Sequence, residues 1–399
     1  MRTVTRLSPL LLSLLVLALP VRALAGQVVH MESGASTISL PSDPTVIERD
    51  ERRADGGDVA GAISDLQLYT AAHPDQRGPI VLLGDLYYRS RNLAQAEHAY
   101  RDALALGDLR EIHNKLGGVY ALQKRYDEAI REFRASLPLP SGFIHLIALH
   151  RVHGDMAAFL AQTQTDADRH PSNADYALDL ALVYDALGHN DEALTAYHHV
   201  LDLQPNSAAA YNGIGSVLIS EQRYSEALLS LRQALSFDGR FVAALNNIGD
   251  AYLGLKDTAS ARKYLERALA VDPESASVLV NLGVLADIVG NRAAALANYR
   301  RAIASDPFQV EAYYNMAADY DADGQHELAE AVTLKGLAID ASDGILHFNL
   351  AVIDDEMGRH QEALKEYHTA ARLSNPQAAH LAKLALSVYE KQAAPTIVR

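Results

Sequence analysis

Apolar positions recur along this chain at helical spacing, in stretches that come in pairs and stop at Pro, Gly or Asn. Aligned on a small residue followed twelve positions later by alanine, the pairs are Gly84/Ala96, Gly117/Ala129, Ala181/Ala193, Gly215/Ala227, Gly249/Ala261, Gly283/Ala295, Ala317/Ala329 and Ala351/Ala363. From Ala181 onward the small residues stand 34 positions apart without exception. A fixed period of this length points to stacked repeats, each unable to bury its apolar face alone.

Each unit reads as two helices. The first carries an apolar residue just before the small one: Leu83, Leu116, Leu180, Ile214, Ile248, Leu282, Met316 or Leu350. Three residues after the small one most units place a large side chain: Tyr87, Tyr120, Tyr184, Leu218, Tyr252 or Tyr320. The small residue is expected to let the second helix approach closely, with the alanine as its counterpart across the contact. Four residues past that alanine comes Tyr100, Phe133, Tyr197, Leu231, Leu265, Tyr299 or Tyr367, one helical turn on and on the same face. Pro205, Pro273 and Pro307 end their units, because proline cannot continue a helix. Gly188-His189-Asn190 and Gly290-Asn291 mark turns inside units.

Two units are degenerate. The first, near Asp43–Gln76, keeps Ala62, Leu66 and Pro74. The fourth, Pro140–Asn173, has Phe159 where alanine is expected and opens after the run Leu137, Pro138, Leu139, Pro140. A change in the path of the stack is expected near residues 137–160.

The pattern resembles tetratricopeptide repeats, which run aromatic, Leu-Gly, Tyr, Ala, Phe, Ala, Pro across one unit. Val242–Ser275 carries Leu245, Ile248-Gly249, Tyr252, Ala261, Leu265, Ala268 and Pro273 in those slots. The resemblance spans roughly residues 43–391. It implies an all-α fold: a right-handed superhelical solenoid of about ten helix–turn–helix repeats with a C-terminal capping helix. Residues 43–173 form the less regular repeats, 174–377 the regular ones, 378–392 the cap and 393–399 a tail.

The N-terminus reads differently. Arg2 and Arg6 precede an apolar run from Leu7 to Leu19, and Ala23-Leu24-Ala25 forms a small-x-small cleavage site. Residues 1–25 therefore read as a secretory signal peptide, followed by a polar linker over 26–42, and place the mature chain in the periplasm or outside the cell. The apolar run is short for a membrane span. No later stretch is apolar enough to cross a bilayer.

Composition narrows the chemistry. Net charge is −15, with no basic stripe, so nucleic acid is a poor partner. Without cysteine there are no disulfides, thiolate metal sites or thiol nucleophiles. His150 and His153 are one turn apart and His198 and His199 are adjacent, but neither pair has a convincing carboxylate partner. Ser260-Ala261-Arg262-Lys263 matches S-x-x-K, yet its alanine is a packing residue and no KTG accompanies it. No metal, cofactor or catalytic residue is expected, and the chain reads as a binding protein.

In the family the sequence resembles, first helices line a concave groove. Two residues before the small one stand Asn247, Asn281, Asn315 and Asn349, with Asn212 beside the same slot one unit earlier. This is similar to the asparagine ladder in the superhelix of O-linked N-acetylglucosamine transferases, whose amides hold the backbone of an extended peptide. A carboxamide both donates and accepts, so it pairs with a peptide unit without reading its sequence. Asparagine in this slot also serves the fold in such repeats. Four residues after the small one come Asp185, Asp287, Asp321 and Asp355, with Asp250 nearby. Facing inward, these acids favour a basic segment. A carboxylate clamp would need inward Lys or Arg, and only Lys115 beside Asn114 hints at one. The residues expected to hold a peptide are Asn212, Asn247, Asn281, Asn315, Asn349, Asp250, Asp287, Asp321 and Asp355. The leading expectation is an exported scaffold serving envelope assembly, secretion or polysaccharide export. The alternative is a regulatory or substrate-presenting subunit of an envelope glycosyltransferase or cell-wall synthase.

The alignment makes Ala261 a contact residue. Ala261→Leu should overpack the helix pair and cost about 1–3 kcal/mol in thermal or denaturant unfolding. Unchanged stability would mean the register is wrong.

Overall fold

A computed structural model describes residues 44–137, 140–373 and 375–393. Residues 1–25, expected to be a signal peptide, the expected linker over 26–42 and the last six residues of the expected tail lie outside the described residues. Among the described residues there are 21 helices and no strand, arranged as ten pairs and a closing helix. By internal contacts the chain divides into two units, one running up to Pro205 and one from Asn206 onward.

The first unit holds five pairs. They are Pro44–Asp55 with Val59–Ala72, Arg77–Arg89 with Leu93–Ala105, Arg110–Leu122 with Tyr126–Ala135, Pro140–His153 with Met156–Arg169, and Ala174–Leu187 with Asn190–Leu203. The second unit holds Ala208–Ser220 with Tyr224–Phe237, Val242–Gly254 with Thr258–Val271, Ala276–Ile288 with Arg292–Ser305, Val310–Ala322 with His326–Leu337, and Gly344–Glu356 with His360–Ala370. The closing helix is Pro376–Ala393. It lays Ala378, Leu381, Ala382 and Ala385 on the tenth pair, and Tyr389 donates to Asp355 of that pair.

All eight aligned alanines, from Ala96 to Ala363, are fully buried. The notch at the small residue, however, is filled by a different side chain from the one expected. A Cβ on Gly249 would stand 2.5 Å from Leu265, one on Gly117 would stand 2.7 Å from Phe133, and Gly283 is closed over by Tyr299. The large residue one turn beyond the alanine is thus the true counterpart of the glycine. Fully burying one such side chain contributes roughly 1.5–3 kcal/mol.

A buried tyrosine brings a hydroxyl that must be satisfied. The Tyr197 hydroxyl donates to Asp185 (3.3 Å), Tyr299 to Asp287 (2.6 Å) and Tyr367 to Asp355 (3.2 Å). In each case the aspartate lies twelve residues before the tyrosine. Where the second helix offers Leu231, Leu265 or Phe133 instead, the aspartate slot holds Ile219, Leu253 or Ala121. Tyr100, which closes over Gly84, finds its acid elsewhere, donating to Asp85 at 2.7 Å, and Asp321 has Thr333 rather than a tyrosine twelve residues on.

The turn inside each aligned pair is equally fixed. One residue there is left-handed in every unit: Gly188, Gly290, Gly324 and Gly358 at φ 72–79°, and Arg91, Lys124, Gln222 and Lys256 at φ 60–62°. Neighbouring pairs are tied by arginine. Arg232 donates to the Tyr252 hydroxyl (3.0 Å) and Arg300 to that of Tyr320 (2.7 Å), while Arg101 lies 5.7 Å from the centre of the Tyr120 ring.

The fourth pair interrupts this regularity. Phe159, in the alanine slot, stacks on His150 at 4.1 Å and leans on Phe143 at 5.6 Å. A ring cannot enter the gap an alanine fits, and these two helices touch less than those of any other pair.

Internal comparison gives a direct test of the Asp–Tyr pair. Tyr299→Leu should leave Asp287 without its donor, and Asp287→Leu should leave a buried phenol unpaired, each costing about 1–3 kcal/mol. The double variant reproduces the leucine pair of the seventh unit, and its loss should be clearly smaller than the sum. Additive losses in denaturant unfolding would contradict the coupling.

Candidate protein-binding site

The second unit brings its first helices side by side, and the asparagines line their contact. Serine and aspartate caps start two of them: Ser207 accepts from the Ala210 amide (3.2 Å) and Asp343 from that of Leu346 (2.8 Å). With the starts fixed, residues 34 apart take matching positions on successive helices.

The ladder is partly spent on the fold. Asn247 Nδ2 donates to Asn212 Oδ1 at 3.0 Å, and Asn281 Nδ2 donates to Asn246 Oδ1 at 3.0 Å. Asn349 Nδ2 donates to the Tyr314 carbonyl oxygen at 3.3 Å. Each amide reaches back to the residue one place earlier in the preceding unit. Asn246 is a member that sequence spacing missed, although the offset of Asn212 from its column was the signal for it. Asn212, Asn247, Asn281 and Asn349 are buried and Asn315 is half-buried. The Oδ1 atoms of Asn281 and Asn349 and the Nδ2 of Asn315 have no hydrogen-bond partner. All of these amides but Asn315 are thus held by one arm, and the unpaired atoms of Asn281, Asn315 and Asn349 are themselves buried.

The aspartates divide. Asp287 and Asp355 accept from the tyrosines of their own units, and Asp355 also pairs with His360 (3.1 Å). Asp321 accepts from His326 (2.8 Å). These three close their own helix pairs, and burial pushes the carboxyls of Asp287 and Asp321 up. Asp250 is different: it is buried on the helix that carries Asn246 and Asn247, and burial pushes its carboxyl up to about 7. Asp319 is pushed to about the same value by burial and by neighbouring Asp287, while Arg292 approaches it at 3.3 Å and joins the eighth pair to the ninth. Arg359 performs the same joining one unit later, pairing with Asp354 (2.6 Å) and Glu330 (2.8 Å).

In the first unit, Lys115 is held by Asp85 at 2.7 Å and Asn114 contacts His145 at 3.0 Å. Both members of the hinted clamp are engaged within the fold. Among the described residues, no group of three His, Asp or Glu side chains is placed to hold a metal ion, and no helix is long and apolar enough to cross a membrane.

A family sequence model described as Tetratricopeptide repeat matches residues 81–142 and 178–240, and a second of the same description matches 241–307. No curated protein sequence matches the chain. Among solved structures, the Cut9–Hcn1 hetero-tetramer of the APC/C aligns with TM-score 0.50 at 14% identity, covering 86% of this chain and 84% of that one. A tetratricopeptide repeat protein from Parabacteroides merdae aligns with TM-score 0.46 at 15% identity, over 71% of this chain and 100% of that one. Yeast Tom70 aligns with TM-score 0.44 at 11% identity, over 89% and 97%. Repeats matched in tandem on a chain of paired helices make this an all-α repeat solenoid, and the chain belongs to the tetratricopeptide-repeat family of protein-interaction scaffolds.

Proposed function

We propose that this chain is an exported scaffold that holds an extended polypeptide segment against the first helices of residues 208–356. The observation that carries the reading is the ladder of amides along successive first helices, of which Asn247, Asn281 and Asn349 are fixed by one arm. A side chain already held in place loses little freedom when a ligand binds, and a carboxamide suits a peptide backbone. Asp250, beside Asn246 and Asn247, favours a lysine or arginine in the segment, since a cation next to a buried carboxyl restores its charged form. The N-terminal apolar run and cleavage site support export, and with it a role in envelope assembly, secretion or polysaccharide export.

Magnitudes limit what the ladder does alone. Four net hydrogen bonds at about 0.5–1.5 kcal/mol each fall short of, or barely match, the roughly 4–15 kcal/mol cost of association. Apolar neighbours on the same helices must supply the rest. The second reading is a regulatory or substrate-presenting subunit of a separate envelope enzyme. Co-purification with an enzymatic activity favours it over a stand-alone scaffold.

Immobilised chain should recover a defined partner from envelope extract. The Asn281→Ala/Asn315→Ala variant should recover it at least several-fold less well, with unchanged helical content. Equal recovery by a folded variant would exclude the ladder as the contact.

A further inference from the structure

The fourth pair also borders a cavity within the first unit. Helix Met156–Arg169, set off its partner by Phe159, and the fifth pair together enclose an open cavity of about 530 Å³. That volume lies within the range of sites that take small ligands or a few side chains. Its floor is apolar, formed by Ala177, Leu180 and Ala196, with the Tyr184 ring along one wall. Leu180 is half-buried, unlike Ile248 at the same place in the seventh pair, which is fully buried.

The rim is acidic. Asp168, Asp191 and Glu192 are exposed around the opening, and among the described residues no Lys or Arg pairs with them. His170 stands at the same mouth, stacked on Tyr176 at 4.2 Å. An apolar floor within a ring of carboxylates rejects anions and polar neutral groups. It complements an aliphatic side chain beside a cation.

We propose that this cavity is a second docking site, which takes a partner protein's segment carrying leucine or isoleucine next to lysine or arginine. This site is separate from the asparagine ladder and stands or falls independently of it.

The test uses three fluorescein-labelled peptides, of leucine with lysine, alanine with lysine, and leucine with glutamate. Binding is followed by anisotropy, and contact sites by carbodiimide coupling and mass spectrometry. The leucine–lysine peptide should bind best and couple to Asp168, Asp191 or Glu192. Asp191→Lys/Glu192→Lys should weaken it by about tenfold, the scale expected for reversed rim charges. Glu327→Lys/Glu362→Lys places the same charges at corresponding positions of the ninth and tenth pairs and should change it little. Leu180→Asp, a half-buried position, should abolish coupling at the rim while leaving helical content intact. Equal loss in both charge-reversal variants would reduce the effect to overall charge and overturn the proposal. So would equal binding of the alanine–lysine peptide, or coupling confined to other acids.

Discussion

Everything regular in this chain depends on how closely two helices of one unit approach at a single point. On the first helix that point is glycine or alanine. On the second it is a fully buried alanine followed one turn later, in seven of the eight aligned units, by a leucine, phenylalanine or tyrosine, which fills the notch wherever the small residue is glycine; the ninth unit has Thr333 there. Once the approach is fixed, a left-handed residue must close the turn, and eight units supply one, four of them without glycine. A lone left-handed residue with a side chain costs roughly 1–2 kcal/mol, so packing rather than local preference holds those four turns.

The consequences of the contact are chemical as well as steric. Choosing tyrosine to fill the notch imports a hydroxyl, and the unit answers with an aspartate on the first helix, twelve residues before Tyr197, Tyr299 and Tyr367 and fifteen before Tyr100. Four units make that exchange, and units with leucine or phenylalanine decline it. The aspartate column, which by spacing alone looked like groove chemistry, is in Asp287 and Asp355 the polar end of a core contact. Asp321 has Thr333 rather than tyrosine twelve residues on, and pairs with His326 at the start of the second helix, as Asp355 also does with His360.

The helix pairs, their number, the closing helix and the break at the fourth unit were legible in the sequence, because a 34-residue period makes each unit a check on the others. The roles of individual polar residues were less so. A column of asparagines shows where an amide stands, not which arm is in use. The bond from Asn281 to Asn246 spans 35 residues, one more than the period, so it crosses columns and escapes a column-by-column reading. Likewise, Phe159 announced a defect within the fourth pair, but the cavity between Met156–Arg169 and the fifth pair carried no mark in the spacing. Such features arise between units, where spacing within a unit is silent.

The central claim is that partners lie along the first helices of residues 208–356. Crosslinking of the full chain in its native cell, with the linked peptides identified by mass spectrometry, tests it most directly. The account predicts that partner links concentrate on first-helix residues between Ala208 and Glu356. Links confined to the outward faces of the second helices of those same pairs would contradict it.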